Sequence, residues 1–194
     1  MFLLYGKVKI GVFKLLLGKS LSKKRYIHSL NVADEAVKLA EFYNEDTNKA
    51  YLAGLLHDVC KEMPFEQQEK LVLNSKLNVS EIEMKSQPLW HAISGAEYIT
   101  HHFKINDEDI INSIRYHTVA RANMSLLEQI IYLADLVSID REYKEVKKMR
   151  RLCYKDIEEA MLEALRFSLL DSISKGNKIP QQTLDAFNQY TKLK

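Results

Sequence analysis

Leu30, Ala33, Val37 and Ala40 fall three and four residues apart, the spacing of one helix face, and segments with the same periodicity fill most of the chain. Ser22 precedes the first long segment, KKRYIHSLNVADEAVKLAEFY, as an N-cap whose hydroxyl can accept from an early backbone N–H. Further helices are predicted over roughly 48–60, 64–74, 91–103, 107–117, 124–138 and 153–175, with Pro64 and Pro88 near starts and Gly176 after a stop. Only six glycines and three prolines occur, and strand alternation, internal repeats and low-complexity tracts are missing, so the fold class is all-α. A chain of 194 residues, 46% of them hydrophobic, can bury a sizeable core as one domain spanning 1–194. SKLNVSEIEMKSQP, residues 75–88, reads as a long connection or a loose short helix. NKIPQQTLDAFNQY, after Gly176, reads as a strapped loop rather than another core layer.

Charge excludes some partners. The 28 basic and 26 acidic residues leave +2, too little to favour nucleic acid or an acidic membrane, and the basic runs KSLSKKR and KKMRR read as solvated helix faces. Cys60 and Cys153 make no disulfide framework and fit a reducing, cytoplasmic compartment; Cys60 reads as a small packing residue. The apolar opening MFLLYGKVKIGVFKLLLGKS is interrupted by Lys7, Lys9 and Lys14 and falls short of the roughly 20 residues that span a bilayer. It reads as a first helix, with a peripheral membrane anchor as the lesser alternative.

Against this apolar background the polar residues stand out. AGLLHDVCKEM, residues 53–63, carries His57 and Asp58 on what reads as a buried helix; His28, His91 and His117 lie on other apolar segments, and Asp135 lies in IIYLADLVSID. A lone histidine on an apolar face is more often a satisfied core residue than a ligand, and an isolated aspartate can cap a neighbouring helix. Four histidines and two aspartates would each need a separate buried partner, whereas one shared metal centre satisfies them together. Packed helices can bring His28, His57, Asp58 and Asp135 to one ion. Neighbouring helical side chains diverge by about 100°, so Asp58 can also face a second ion completed by His91 and His117. Four imidazoles and two carboxylates are too nitrogen-rich for magnesium or calcium and suit iron, manganese, cobalt or zinc.

The order H, then HD, then H, H and D resembles the HD-domain superfamily of metal-dependent phosphohydrolases. LSKKRYIHSLNVADEA, KAYLAGLLHDVCKE, LWHAISGAEYI, IRYHTVARANMSLLEQIIYLADLVSIDR and GNKIPQQTLDAFN together resemble one subgroup, the symmetrical bis(5′-nucleosyl)-tetraphosphatases. The resemblance implies a compact helical HD-type bundle with two ions, usually iron, that hydrolyses diadenosine tetraphosphate and related dinucleoside polyphosphates to ADP. It also implies that Arg25, Lys61 and Arg141 line the nucleotide site beside His28, His91 and His117, and that Lys178, Ile179, Pro180 and Thr183 close over the nucleoside; Thr118 is a hydroxyl candidate near that site. Asp58, Lys61 and Arg141 are the catalytic candidates: Lys61 lies one turn past Asp58, and Arg141 can clamp a phosphate oxygen. Tyr132 is a further hydroxyl candidate, and His101 and His102 read as surface residues. Two stretches depart from the subgroup's pattern, HTVA in place of the common HTTG, at Val119 and Ala120, and the pair Gln181 and Gln182. The expected partner is the nucleotide, with no nucleic acid and no membrane, and a homodimer is left open. The competing readings are another nucleotide phosphohydrolase of the superfamily and a metal-containing protein that senses a nucleotide without turnover. Intact ligands together with Lys61 and Arg141 favour turnover.

Overall fold

The computed structural model describes residues 7–191, eleven helices with no strand among them. Residues 1–6 of the apolar opening lie outside the described residues, and its remainder forms α1 (Lys7–Ser20). The helices that follow are α2 (Lys23–Tyr43), α3 (Thr47–Leu56), α4 (Phe65–Leu73), α5 (Glu81–Met84) and α6 (Gln87–His102). The second half holds α7 (Glu108–Tyr116), α8 (Leu126–Val137), α9 (Val146–Cys153), α10 (Ile157–Ser174) and α11 (Gln181–Tyr190). Side-chain oxygens fix several starts: Ser22 accepts from Arg25 N, Asp46 caps α3, Asp107 caps α7, and Ser125 with Glu128 forms a capping box on α8. No described helix is long and apolar enough to cross a membrane.

α2 packs along α3 and α8, and α3 in turn touches α7 and α8. The α2–α3 contact is made by small residues, Ala33, Ala36 and Ala40 against Ala50, Ala53 and Gly54, all fully buried or nearly so. A Cβ on Gly54 would sit 2.8 Å from Ala33 Cα, so only glycine lets the two backbones approach this closely. α8 supplies a broad apolar face, with Leu127, Ile130, Ile131 and Leu133 at 0% exposure. Each such side chain contributes about 1.5–3 kcal/mol of hydrophobic stabilisation.

Three expectations need correction. Residues 75–88 are not loose: Ser80 and Glu83 form a capping box on α5, and Glu83 pairs with buried Arg115 of α7 at 2.7 Å while Arg115 also donates to Asn78 O at 2.6 Å. Each of those two charges would be costly alone in the interior, so they hold the segment against α7. The long helix expected over 153–175 begins only at Ile157 and is preceded by a separate α9 that was not anticipated. The tail is a helix rather than a loop: α11 packs on α10 and buries Thr183, Ala186 and Tyr190.

Candidate metal centre

His57 and Asp58 do not lie within a helix. α3 ends at Leu56, His57 is its C-cap, and the pair occupies the turn that follows. His117 is likewise the C-cap of α7, while His28, His91 and Asp135 project from within α2, α6 and α8. Two helix ends and three helix faces therefore converge. Ligand atoms of three overlapping sets lie within 4.8 Å of one another: His28, His57 and Asp58; His57, His117 and Asp135; and Asp58, His91 and His117.

A common local device aims three of the imidazoles. Nδ1 of His57 lies 2.7 Å from Gly54 O, that of His91 2.8 Å from Pro88 O, and that of His117 2.7 Å from Ile114 O. A carbonyl only accepts, so in each ring Nδ1 carries the proton and Nε2 turns its lone pair inward. His28 differs: its Nδ1 faces Asp140 Oδ2 at 2.7 Å, and its Nε2 lies 2.9 Å from Asp135 Oδ1.

Asp58 stands at the middle. Its Oδ1 is 3.3 Å from His91 Nε2 and 3.6 Å from His117 Nε2, and its Oδ2 is 3.4 Å from His57 Nε2 and 2.7 Å from Arg25 Nη1. His57 Nε2 and Asp58 Oδ1 are buried without a hydrogen-bond partner. An unsatisfied buried imidazole nitrogen and an unsatisfied buried carboxylate oxygen within one cluster are the arrangement that a coordinated cation completes, so the residues present fit a metal site. Burial pushes His91 well below the ordinary histidine range. Burial opposes ionisation of Asp58 as well, but His57, His117 and His91 beside it hold the carboxyl well below its usual range. Asp135 is also held far down, against its burial, by His28, His57 and Arg141. Ionised carboxylates and a neutral imidazole are the protonation states that ligation requires.

Cations rim this centre. Lys61 Nζ lies 3.1 Å from His91 Nε2, and burial pulls its pKa down. Arg141 donates from Nε to Asp135 O at 2.8 Å, and its guanidinium pairs with the Asp135 carboxylate. Ser22, Lys24, Arg25, His28, Glu62, Asp140, Arg141 and Tyr143 are among the residues that line a cavity of about 410 Å³ at the mouth. Thr118 Oγ1 is buried with no partner. Tyr132, by contrast, donates its hydroxyl to Ser168 at 3.0 Å and is engaged in the core. Thr183 donates to Val119 O at 2.7 Å; among the described residues no hydrogen bond or ion pair joins Lys178, Ile179, Pro180 or Thr183 to the six clustered residues. His101 and His102 are exposed. Cys60 is buried with its thiol pushed up to about 12, a packing residue and not a nucleophile.

Sequence reading missed Asp140 and Arg150. Within KKMRR, Arg150 turns inward and donates to Val137 O at 2.8 Å, Ser138 O at 2.6 Å and Arg141 O at 3.1 Å, which fixes the loop carrying Asp140 and Arg141. Asp140 meets a histidine 112 positions away, so no local pattern marked it. Ala120, where the subgroup pattern has glycine, adopts the left-handed conformation with φ +56°.

Comparison with known proteins gives a consistent set of likenesses. A family model described as HD domain matches residues 25–140. The chain is 31% identical to the symmetrical bis(5′-nucleosyl)-tetraphosphatase of Bacillus subtilis over 88% of this chain and 91% of that one. The enzymes of the same description from Halalkalibacterium halodurans and Staphylococcus aureus are 36% and 34% identical, covering 87% and 91% of this chain and 90% and 92% of theirs. A solved Clostridium acetobutylicum structure, described as a predicted HD superfamily hydrolase involved in NAD metabolism, superposes with a TM-score of 0.89 at 37% identity, covering 93% of this chain and 96% of that one.

Proposed function

The chain belongs to the HD-domain family, and on that premise we propose that it hydrolyses diadenosine tetraphosphate symmetrically, to two ADP, in a metal-dependent reaction. It is a hydrolase of phosphoric anhydride bonds, and the observation that carries the reading is Asp58, whose two oxygens face different histidine sets. His28, His57, Asp58 and Asp135 would hold one ion, and Asp58, His91 and His117 would hold a second. Four imidazoles with two carboxylates favour iron, with manganese, cobalt or zinc as substitutes. When bound, such ions supply an activated water at neutral pH and stabilise charge on phosphoryl oxygens. Arg25, Lys61 and Arg141 bind the phosphate chain and neutralise charge that builds as the central anhydride breaks; the leaving ADP is a weakly basic anion that these cations also stabilise. Thr118 offers a hydroxyl to the nucleotide, and Lys178, Ile179 and Pro180 bear on the nucleoside end. Thr183 acts through Val119, whose carbonyl its hydroxyl holds.

The whole chain serves as one catalytic domain, and its two buried free thiols suit a cytoplasmic enzyme. Turnover of diadenosine tetraphosphate by metal-stripped protein, before and after reloading with iron or manganese, tests the assignment. ADP as the sole nucleotide product, and only after reloading, is expected. Equal amounts of ATP and AMP would reject symmetrical cleavage, and full activity without metal would reject the role of the cluster.

A further inference from the structure

Three of the four clustered histidines rest Nδ1 on a main-chain carbonyl three residues back, an arrangement local to their own helix end or turn. His28 has no such anchor. The next turn of α2 instead brings Asn31 beside it, and the loop after α8 brings Asp140. Asp140 Oδ2 lies 2.7 Å from His28 Nδ1, and Asn31 Nδ2 donates to Asp140 Oδ1 at 3.1 Å. The same loop is held by Arg150 through three carbonyls, so the carboxylate is presented from a fixed backbone. His28 Nε2, on the far side of the ring, points at Asp135.

We propose that Asp140 is a positioning residue for metal binding: it fixes the ring plane of His28 and the tautomer that turns Nε2 inward, strengthening one of the two ion sites and not the other. The proposal rests on the two-ion reading given above. A carboxylate behind a ligating imidazole fixes the tautomer and the ring plane, and it makes the lone pair a better donor than a carbonyl does. Asn31 holds the second carboxylate oxygen and so sets the angle at which Asp140 meets the ring. Among the described residues no hydrogen bond or ion pair joins Asp140 or Asn31 to His91 or His117, whose Nδ1 atoms rest on Pro88 O and Ile114 O. The ion those two residues hold is therefore insensitive to this pair.

Titration of metal-free protein with cobalt(II) against a competing chelator, followed by the visible absorption of the bound ion, tests this without reference to turnover. His91→Ala identifies which phase belongs to the His91 and His117 site. Asp140→Ala should weaken the other phase by about 10–100-fold and leave the His91 phase in place. Asp140→Asn, which keeps an acceptor and loses the charge, should fall between wild type and Asp140→Ala. Both variants should lose some metal-free stability with the bonds to His28 and Asn31, so the contrast between the two phases, read on folded protein, reports the positioning role. Unchanged titrations in both Asp140 variants, or equal weakening of both phases, would overturn the proposal. A wild-type protein that binds no cobalt would instead overturn the two-ion reading beneath it, and the proposal with it.

Discussion

Arg25 Nη1 donates to Asp58 Oδ2 at 2.7 Å, so a guanidinium from the first turn of α2 stands where the open cavity meets the buried carboxylate. Lys61 and Arg141 approach the same region from the turn after α3 and the loop after α8. These three cations come from three separate segments, yet all face the clustered carboxylates or imidazoles.

If their task is to neutralise phosphate oxygens in the transition state, Arg25→Ala, Lys61→Ala and Arg141→Ala should each lower kcat/KM for diadenosine tetraphosphate by about 10². Steady-state kinetics with metal content measured in parallel checks this. Wild-type kcat/KM in any one variant would make that residue a structural cation.

The close crossing of α2 and α3 positions His57 next to His28. Gly54→Ala puts a Cβ 2.8 Å from Ala33 Cα and 3.2 Å from Val32 O, backbone atoms that cannot rotate aside. Overpacking of this kind costs about 1–3 kcal/mol. Because Gly54 O also anchors His57 Nδ1, metal affinity should fall along with stability. Urea unfolding of metal-free protein together with a metal titration would expose a wild-type result in either.

Asp107 caps α7 and pairs with Lys49 at 2.8 Å. Burial alone would raise its pKa, but Lys49 and the N–H groups of Ile110 and Asp109 outweigh it and leave the folded value below the ordinary 3.8. A depressed carboxylate contributes stability that is fully present above its unfolded pKa and is lost as pH falls through the folded one. Asp107→Asn should therefore be less stable than wild type by about 0.5–1 kcal/mol at pH 7, with the two converging as pH falls through the folded pKa of Asp107. Thermal unfolding across pH reads the difference, and a gap that stays constant would show that the charge contributes nothing.

The tail is tied to the loop after His117 by Thr183 and by Gln189, whose Oε1 accepts from Asn123 N at 2.6 Å. Thr183 of α11 donates to Val119 O, two residues past His117, inside the core. Thr183→Val leaves that buried carbonyl without its partner and should cost about 1–3 kcal/mol. Ending the chain after Gly176 removes a packed helix and should lower the unfolding midpoint further. A truncated chain with wild-type stability would mean that α11 serves the nucleotide alone.

How much of this was legible varies with how local the signal is. The α2 face, the Ser22 cap and the six clustered residues could be read because periodicity and apolar flanks mark them within a few positions. The expectation for α11 failed because the proline and turn-forming residues after Gly176 read as a strapped loop, whereas Pro180 acts as the N-cap of a helix held by tertiary packing. The break between α9 and α10 is a short turn at Tyr154–Lys155 with Asp156 as N-cap, too brief to interrupt the apolar pattern. Asp140 and Arg150 were invisible for another reason: their partners are set by how helices pack, and a charge beside another charge looks the same on a surface as over a site. Ala120 shows a departure from pattern with a physical consequence, since a left-handed alanine carries about 1–2 kcal/mol of strain that glycine avoids.

The metal count of purified protein tests the centre most directly. Elemental analysis should find two ions per chain in the wild type and none in Asp58→Ala, because the proposed scheme has both sites share that carboxylate. Asp135→Ala should lose mainly the ion held with His28 and His57. One ion per chain in fully active protein, or an unchanged count in Asp58→Ala, would contradict the bridging role of Asp58.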